Sequence, residues 1–287
     1  MASEQMQAFL DAMGDQPKQR DTRPIEEQRA GLDEFMSTQP IPDDVEIVDF
    51  ELAGRPARRY LPKGARTDRG VLYLHGGGYT VGSLDAYQSL MAHLSEACDA
   101  VVTGLDYRLA PEHPYPAALD DAVAAFEELS GLLAPEKIMI AGDSAGGGLA
   151  LACLLRVKDE GSPLPGCATL ISPATDLTCS GESLGAVRDA FVESYHAYIG
   201  DSPPETVGIS PLFGDMEGLP PLLIQVASDE PMLDDSTRLE SRARDAGVTV
   251  DITLFDEAFH VFQIFTEFPE SEEALSEIGR FFDLHTH

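Results

Sequence analysis

The pentapeptide Gly142-Asp143-Ser144-Ala145-Gly146 places a serine in the spacing Gly-x-Ser-x-Gly. That spacing suits a nucleophile held on a tight strand-to-helix turn, with its hydroxyl projecting beyond a sheet. Glycines two positions to either side let strand and helix pack closely without Cβ clashes. An apolar stretch (IMIAG) precedes the turn and an Ala/Leu-rich stretch (GGGLALACLLRV) follows it, as the arrangement requires. A serine at a helix N-terminus also sits where backbone amides favour developing negative charge. No Gly-Lys-Ser/Thr follows, so the stretch does not read as a phosphate-binding loop.

A second cluster suits the same chemistry. His75-Gly76-Gly77-Gly78-Tyr79 follows a short apolar run. Acyl transfer needs backbone N–H groups aimed at a tetrahedral oxyanion, and glycines let a loop bring its amides that close. The expected donors are the amides of Gly77, Gly78 and Ala145, with Gly76 supporting the turn and His75 fixing the loop.

These residues need strands that end side by side. Strands are expected at 45–52 and 56–61 around the Ala53-Gly54 turn, and at 71–74, 100–105, 137–141, 167–171, 221–227 and 248–254. Helical periods fall at 85–97, 117–133, from the elbow to about 159, at 231–246 with Gly247 closing the end, and at 270–284. This alternation predicts an α/β fold: a mostly parallel sheet with helices on both faces. Two segments break it. Residues 1–40 read as two amphipathic helices interrupted at Pro17 and Pro24. Residues 178–218, rich in Gly, Ser, Pro and Tyr, form an excursion long enough to be a lid. The expected organisation is 1–44 as N-terminal cap helices, 45–177 with 219–287 as the catalytic domain, and 178–218 as a cap insertion.

Bulk properties narrow the function classes. The 287 residues, 43% of them hydrophobic, suffice for one large domain. Nineteen Lys plus Arg against fifty Asp plus Glu leave a formal charge of −31, which repels nucleic acid and anionic lipid. The acids are scattered, so they do not form a disordered tail, and salt adaptation and a merely acidic proteome explain them equally well. No apolar run is long enough to span a membrane, and the first twenty residues do not read as a secretory signal. Cys98, Cys153, Cys167 and Cys179 show no metal-ligand spacing and read as free thiols in a reducing compartment. No metal is expected. The expected location is cytoplasmic, with no nucleic acid partner and no membrane insertion. A homodimer stays open.

Three stretches together give a resemblance. His75-Gly-Gly-Gly78, Tyr107-Arg-Leu-Ala-Pro-Glu-His-Pro114 with Tyr115-Pro-Ala-Ala118, and Gly142-Asp-Ser-Ala-Gly-Gly147 resemble the hormone-sensitive-lipase-like family of bacterial esterases, in its Gly-Asp-Ser-Ala-Gly subgroup. The likeness runs from about residue 45 to the C-terminus. It implies an α/β-hydrolase fold with a small helical cap, carboxylesterase activity on small, short-acyl esters, and no cofactor. One departure is His260-Val261-Phe262, where many members have His-Gly-Phe. It puts a branched side chain beside the imidazole and bears on pocket shape near the leaving alcohol.

A hydrolase of this fold orders its triad as serine, acid, histidine. His260 lies in a loop after the last apolar strand, where it can reach over the sheet edge. For the acid, the strand LLIQVAS ends at Ser228 and Asp229 is the first carboxylate beyond it. Asp234 is the alternative, and Glu230 and Asp235 are neighbours. Asp229 is thus expected to accept the imidazole N–H. Tyr79, Asp143 and Tyr195 are the candidate substrate-binding residues. Tyr79 reads equally as a packing aromatic, Tyr195, which shares a helical face with Phe191 and Tyr198, reads more readily as core or lid packing, and Asp143 reads more readily as a hydrogen-bonder within the elbow. Glu112 and His113 read as a buried polar network bracing the loop. A lactonase or amidase would use the same triad, and a catalytically inert binding protein would share the fold.

Overall fold

A computed structural model describes residues 2–14 and 23–286. The expected break at Pro17 lies outside the described residues. Two helices, α1 (Glu4–Met13) and α2 (Ile25–Met36), precede the antiparallel strands β1 (Val45–Leu52) and β2 (Arg55–Pro62). Then follow β3 (Arg66–Leu74), α3 (Gln88–Cys98), β4 (Ala100–Leu105), α4 (Ala117–Ser130), β5 (Ile138–Asp143), α5 (Ala145–Asp159) and β6 (Cys167–Ile171). After α6 (Arg188–Ile199) the chain completes β7 (Leu222–Ala227), α7 (Leu233–Asp245), β8 (Val250–Phe255) and α8 (Pro269–His285).

The strands form one sheet in the order β1-β2-β4-β3-β5-β6-β7-β8. From β4 to β8 every pairing is parallel, and β2 joins β4 antiparallel. Alternate side chains of a strand point to opposite faces. Leu72 and Leu74 of β3 accordingly enter a core shared with α4 and α5, while Val71 and Tyr73 enter a second core shared with α3 and α8. Burying each such aliphatic side chain contributes about 1.5–3 kcal/mol, so both faces hold the sheet. Among the described residues no helix is long and apolar enough to cross a membrane. All four cysteines are free and buried.

The parallel strands end together, and the chemistry-bearing loops follow them. β3 ends one residue before His75, β5 one before Ser144, β7 three before Glu230, and β8 five before His260. Such a C-terminal strand edge is where open α/β sheets bind ligands.

The N-terminal helices pack over this edge. Met6 of α1 is buried with Ala227, Phe255 and Phe262. Phe9 stacks on Phe259, with ring centroids 5.0 Å apart. α2 reaches the loop after β3 through Asp33, whose carboxylate accepts from the Ser83 hydroxyl at 2.6 Å.

Candidate active site

Ser144 stands at φ 51°, ψ −119°, between the last residue of β5 and the first turn of α5. That conformation is strained for a residue with a Cβ, and strain of this kind costs about 1–3 kcal/mol. The surroundings hold it: the Ser144 amide donates to the Ile171 carbonyl at 2.8 Å, and its own carbonyl accepts from Gly148 and Ala174. Gly146 is required by space, because a Cβ there would sit 2.0 Å from the Leu74 carbonyl oxygen.

The Ser144 hydroxyl lies 2.9 Å from His260 Nε2. On the far side of the ring, Nδ1 lies 3.1 Å from Glu230 Oε1. A carboxylate at Nδ1 selects the tautomer that leaves the Nε2 lone pair facing the hydroxyl. The other oxygen, Oε2, accepts from the Ser172 hydroxyl at 2.8 Å and the Ala227 amide at 3.2 Å. Ser172 also accepts from the Val261 amide, so one hydroxyl ties the acid to the histidine loop.

Asp229 is not the partner of His260. It is exposed, whereas Glu230 is buried. The turn after β7 sends consecutive side chains in different directions, and the inward one belongs to residue 230. Counting to the first carboxylate beyond the strand ignored that direction. Asp234 is excluded as well, since its carboxylate accepts from the Glu182 and Ser183 amides.

Amides without partners point to where an anion would sit. Among the described residues, no protein group accepts from the amides of Gly77, Gly78 or Ala145. Gly77 takes φ 114°, a region closed to L side chains, and a Cβ there would overlap the Val81 carbonyl at 2.2 Å.

A family model described as alpha/beta hydrolase fold matches residues 71–264. An acetyl-hydrolase of Streptomyces hygroscopicus is 41% identical over 228 residues, 76% of each chain. An esterase of Acinetobacter venetianus is 38% identical over 267 residues, 88% of this chain and 87% of that one. The crystal structure of an esterase from the bacterial hormone-sensitive lipase family covers all of both chains with a TM-score of 0.93 at 34% identity.

The chain belongs to the hormone-sensitive-lipase-like family of bacterial esterases, within the α/β hydrolases.

Within this esterase, Asp143 supports the glycine loop 75–78 from below. It is fully buried. Its Oδ1 accepts from the Tyr73 hydroxyl at 2.8 Å and the Gly76 amide at 2.9 Å, and its Oδ2 accepts from the Tyr87 hydroxyl at 3.1 Å. Burial pushes its carboxyl up to about 6, against the pull of those three donors. His75 is sealed between the rings of Tyr107 and Tyr87, and burial holds it down at about 4, so it is neutral. Its ring bonds to the Gly76 carbonyl, as expected of a loop-fixing residue.

Several expectations need correction. Asp143 is too deeply buried to touch substrate. Tyr79 is 1% exposed, its ring 3.6 Å from that of Tyr198 and within 3° of parallel. Tyr195 is buried in the same core, so both tyrosines pack rather than line an open pocket. Glu112 and His113 are exposed, and Glu112 pairs with Arg29 of α2. The polar anchor near them is Asp121, which accepts from the Arg108 amide and guanidinium.

Val261 is a further correction. It adopts φ 55°, ψ 41°, the left-handed region that a β-branched residue rarely enters. Its side chain is buried in the core shared with α3 and α8. The glycine common at this position in the family fits the same backbone without strain. Among the described residues no group of three or more His, Cys, Asp or Glu could hold a metal ion.

Proposed function

We propose that ester hydrolysis by this carboxylesterase runs through Ser144, His260 and Glu230 by way of an acyl-enzyme, on small esters with short acyl chains. The observation that carries the reading is the continuous row from Ser144 Oγ to His260 Nε2 at 2.9 Å and from His260 Nδ1 to Glu230 Oε1 at 3.1 Å.

His260 removes the hydroxyl proton as Ser144 attacks the ester carbonyl. Glu230 fixes the tautomer and stabilises the imidazolium that forms. The unpartnered amides of Gly77, Gly78 and Ala145 receive the oxyanion, supported from below by the bond between Asp143 and the Gly76 amide. His260 then protonates the leaving alcohol. Water enters on the same side and attacks the acyl carbon as it loses a proton to His260; the bond to Ser144 Oγ then breaks, Oγ takes that proton back, and the acid is released.

The preference for short acyl groups is carried over from the family resemblance. Residues 1–44 and 178–218 serve as the cap over a catalytic domain of 45–177 and 219–287. Four buried free thiols fit a reducing compartment, and we assign the enzyme to the cytoplasm.

A p-nitrophenyl ester panel from acetate to decanoate tests this, with Ser144→Ala and His260→Ala as controls. Activity should peak at short acyl lengths and fall by several powers of ten in both variants. Near-normal turnover by Ser144→Ala refutes the nucleophile, and a long-chain optimum refutes the substrate class. Faster turnover of lactones or amides than of any ester would move the physiological substrate to those classes.

A further inference from the structure

The loop 77–81 is held at several points. From below, Asp143 takes the Gly76 amide. Within the loop, the Thr80 and Val81 amides both donate to the Gly77 carbonyl, and the Tyr79 carbonyl accepts from the Ala110 amide. A further hold comes from outside the sheet. Arg29 of α2 donates from Nε to the Thr80 carbonyl at 2.8 Å and from Nη2 to the Ala110 carbonyl at 2.9 Å. Both of its terminal nitrogens also donate to the Glu112 carboxylate at 2.8 Å.

We propose that Arg29 is a positioning residue for the oxyanion loop: one guanidinium ties cap helix α2 to the Thr80 and Ala110 carbonyls, so that seating the N-terminal helices and aligning the Gly77 and Gly78 amides are one event. The inference rests on the oxyanion role given to those amides above.

The chemistry suits arginine alone. A guanidinium is planar and presents donors in a fixed fork, so it can satisfy two carbonyls and a carboxylate together. A lysine ammonium has its donors on a single atom and cannot span the same three acceptors in one plane. Thr80 is two residues beyond Gly78. Its carbonyl shares a peptide with the Val81 amide, which donates to the Gly77 carbonyl, and that carbonyl shares a peptide with the Gly78 amide; release of the Thr80 carbonyl lets this chain of peptides tilt, and an oxyanion donor turned aside loses much of its effect. Complete removal of one such donor costs about 10²–10³ in kcat. Misalignment by loss of the Arg29 tie should cost less, about tenfold.

Glu112 has a separate part. Its carboxylate neutralises the guanidinium and keeps its plane, but it touches no residue of the loop. Glu112→Gln should therefore reduce kcat less than Arg29→Met does. Asp33, which takes the Ser83 hydroxyl at 2.6 Å, keeps α2 near the loop when Arg29 is replaced.

The experiment uses the full chain and compares wild type with Arg29→Met, Arg29→Lys and Glu112→Gln. It measures kcat and KM on p-nitrophenyl acetate, the inhibition constant of a small alkyl boronic acid, and Tm. Boronic acids form a tetrahedral adduct on the serine and use the same amides as the oxyanion. Arg29→Met and Arg29→Lys should lower kcat about tenfold, with KM changed less than about threefold. Boronate affinity should weaken in parallel. A role limited to stability would lower Tm and leave kcat and boronate affinity in place, and that result overturns the proposal. A rise in KM alone overturns it too, because it would make Arg29 a substrate contact. If Arg29→Met is unstable, Arg29→Lys gives the same readouts with charge retained. Ser144→Ala run alongside separates the two levels: activity surviving there refutes the triad itself, whereas wild-type kinetics in the Arg29 variants refute only the tie.

Discussion

Replacing Glu230 by glutamine tests the acid at the cost of one atom. The side chain keeps its length and shape, and both rotamers of the new amide conflict with the site. If the NH2 faces His260, it opposes the Nδ1–H and forces the proton to Nε2, where it blocks attack by Ser144. A histidine held in the wrong tautomer loses about 10⁴ in kcat in the well-studied serine protease case. If the NH2 faces the other way, it meets the Ala227 amide, itself a donor at 3.2 Å from that position. The Ser172 hydroxyl can turn and accept, but the Ala227 amide cannot. In that rotamer the tautomer survives while the negative charge 3.1 Å from Nδ1 is gone. The difference between a charged and a neutral partner is about 1–2 kcal/mol for the hydrogen bond, to which the lost stabilisation of the imidazolium adds. The expected fall in kcat is therefore between about 10² and 10⁴. Release of p-nitrophenol from the acetate ester measures it, with circular dichroism to check folding. Asp229→Asn, at an exposed position, should keep kcat within about threefold. An Asp229→Asn loss larger than that of Glu230→Gln would refute the geometry of the site.

Val261→Gly should be at least as stable as Val261→Ala in urea unfolding. Glycine gives up one carbon more than alanine, but it alone escapes the left-handed strain, which costs about 1–2 kcal/mol; an alanine variant clearly the more stable would contradict the strain. Asp143 holds its proton more tightly when folded, with its carboxyl raised to about 6 from an ordinary 3.8. Its contribution is therefore fullest below about 4 and is lost as pH rises through 6. The stability of wild type relative to Asp143→Asn should fall by about 2 kcal/mol between pH 4.5 and 7, and a constant gap would refute the shift. Phe9→Ala removes the stack on Phe259, next to His260, and should cost about 1–3 kcal/mol and lower kcat; unchanged kinetics on every ester would show that α1 does not steady the histidine loop. With a net charge of −31, Tm should rise between about 0.01 M and 1 M sodium chloride, as the Debye length shrinks from roughly 30 Å to 3 Å. A level or falling Tm would mean that local pairs such as Arg58 with Asp49 and Asp85 already offset the repulsion.

How much of the site was legible depended on how local its signals are. The elbow around Ser144 could be read because a tight strand-to-helix turn imposes glycines at fixed spacing. The His75-Gly-Gly-Gly78 loop could be read for a similar reason, since amides that approach a reacting carbon exclude side chains. His260 followed from its place after the last strand. Ser172 carried no signal: a buried serine after β6 gives no hint that its hydroxyl bridges Glu230 and the Val261 amide. Arg29 was equally silent, since its partners Thr80, Ala110 and Glu112 are 51 to 83 residues away.

The sequence by itself determined the layered α/β architecture, the order of its strands along the chain, and the serine and histidine that the fold brings to 2.9 Å of each other. Each rests on periodicity or on short-range spacing, which a chain carries before it folds. Only the tertiary structure decided between Asp229 and Glu230, adjacent residues that differ in the direction a turn sends them. It also turned Tyr79, Asp143 and Tyr195 from candidate substrate contacts into buried supports, and moved Glu112 to the surface as the partner of Arg29. Side-chain direction and burial depend on what the rest of the chain packs against that position, and no local pattern records it.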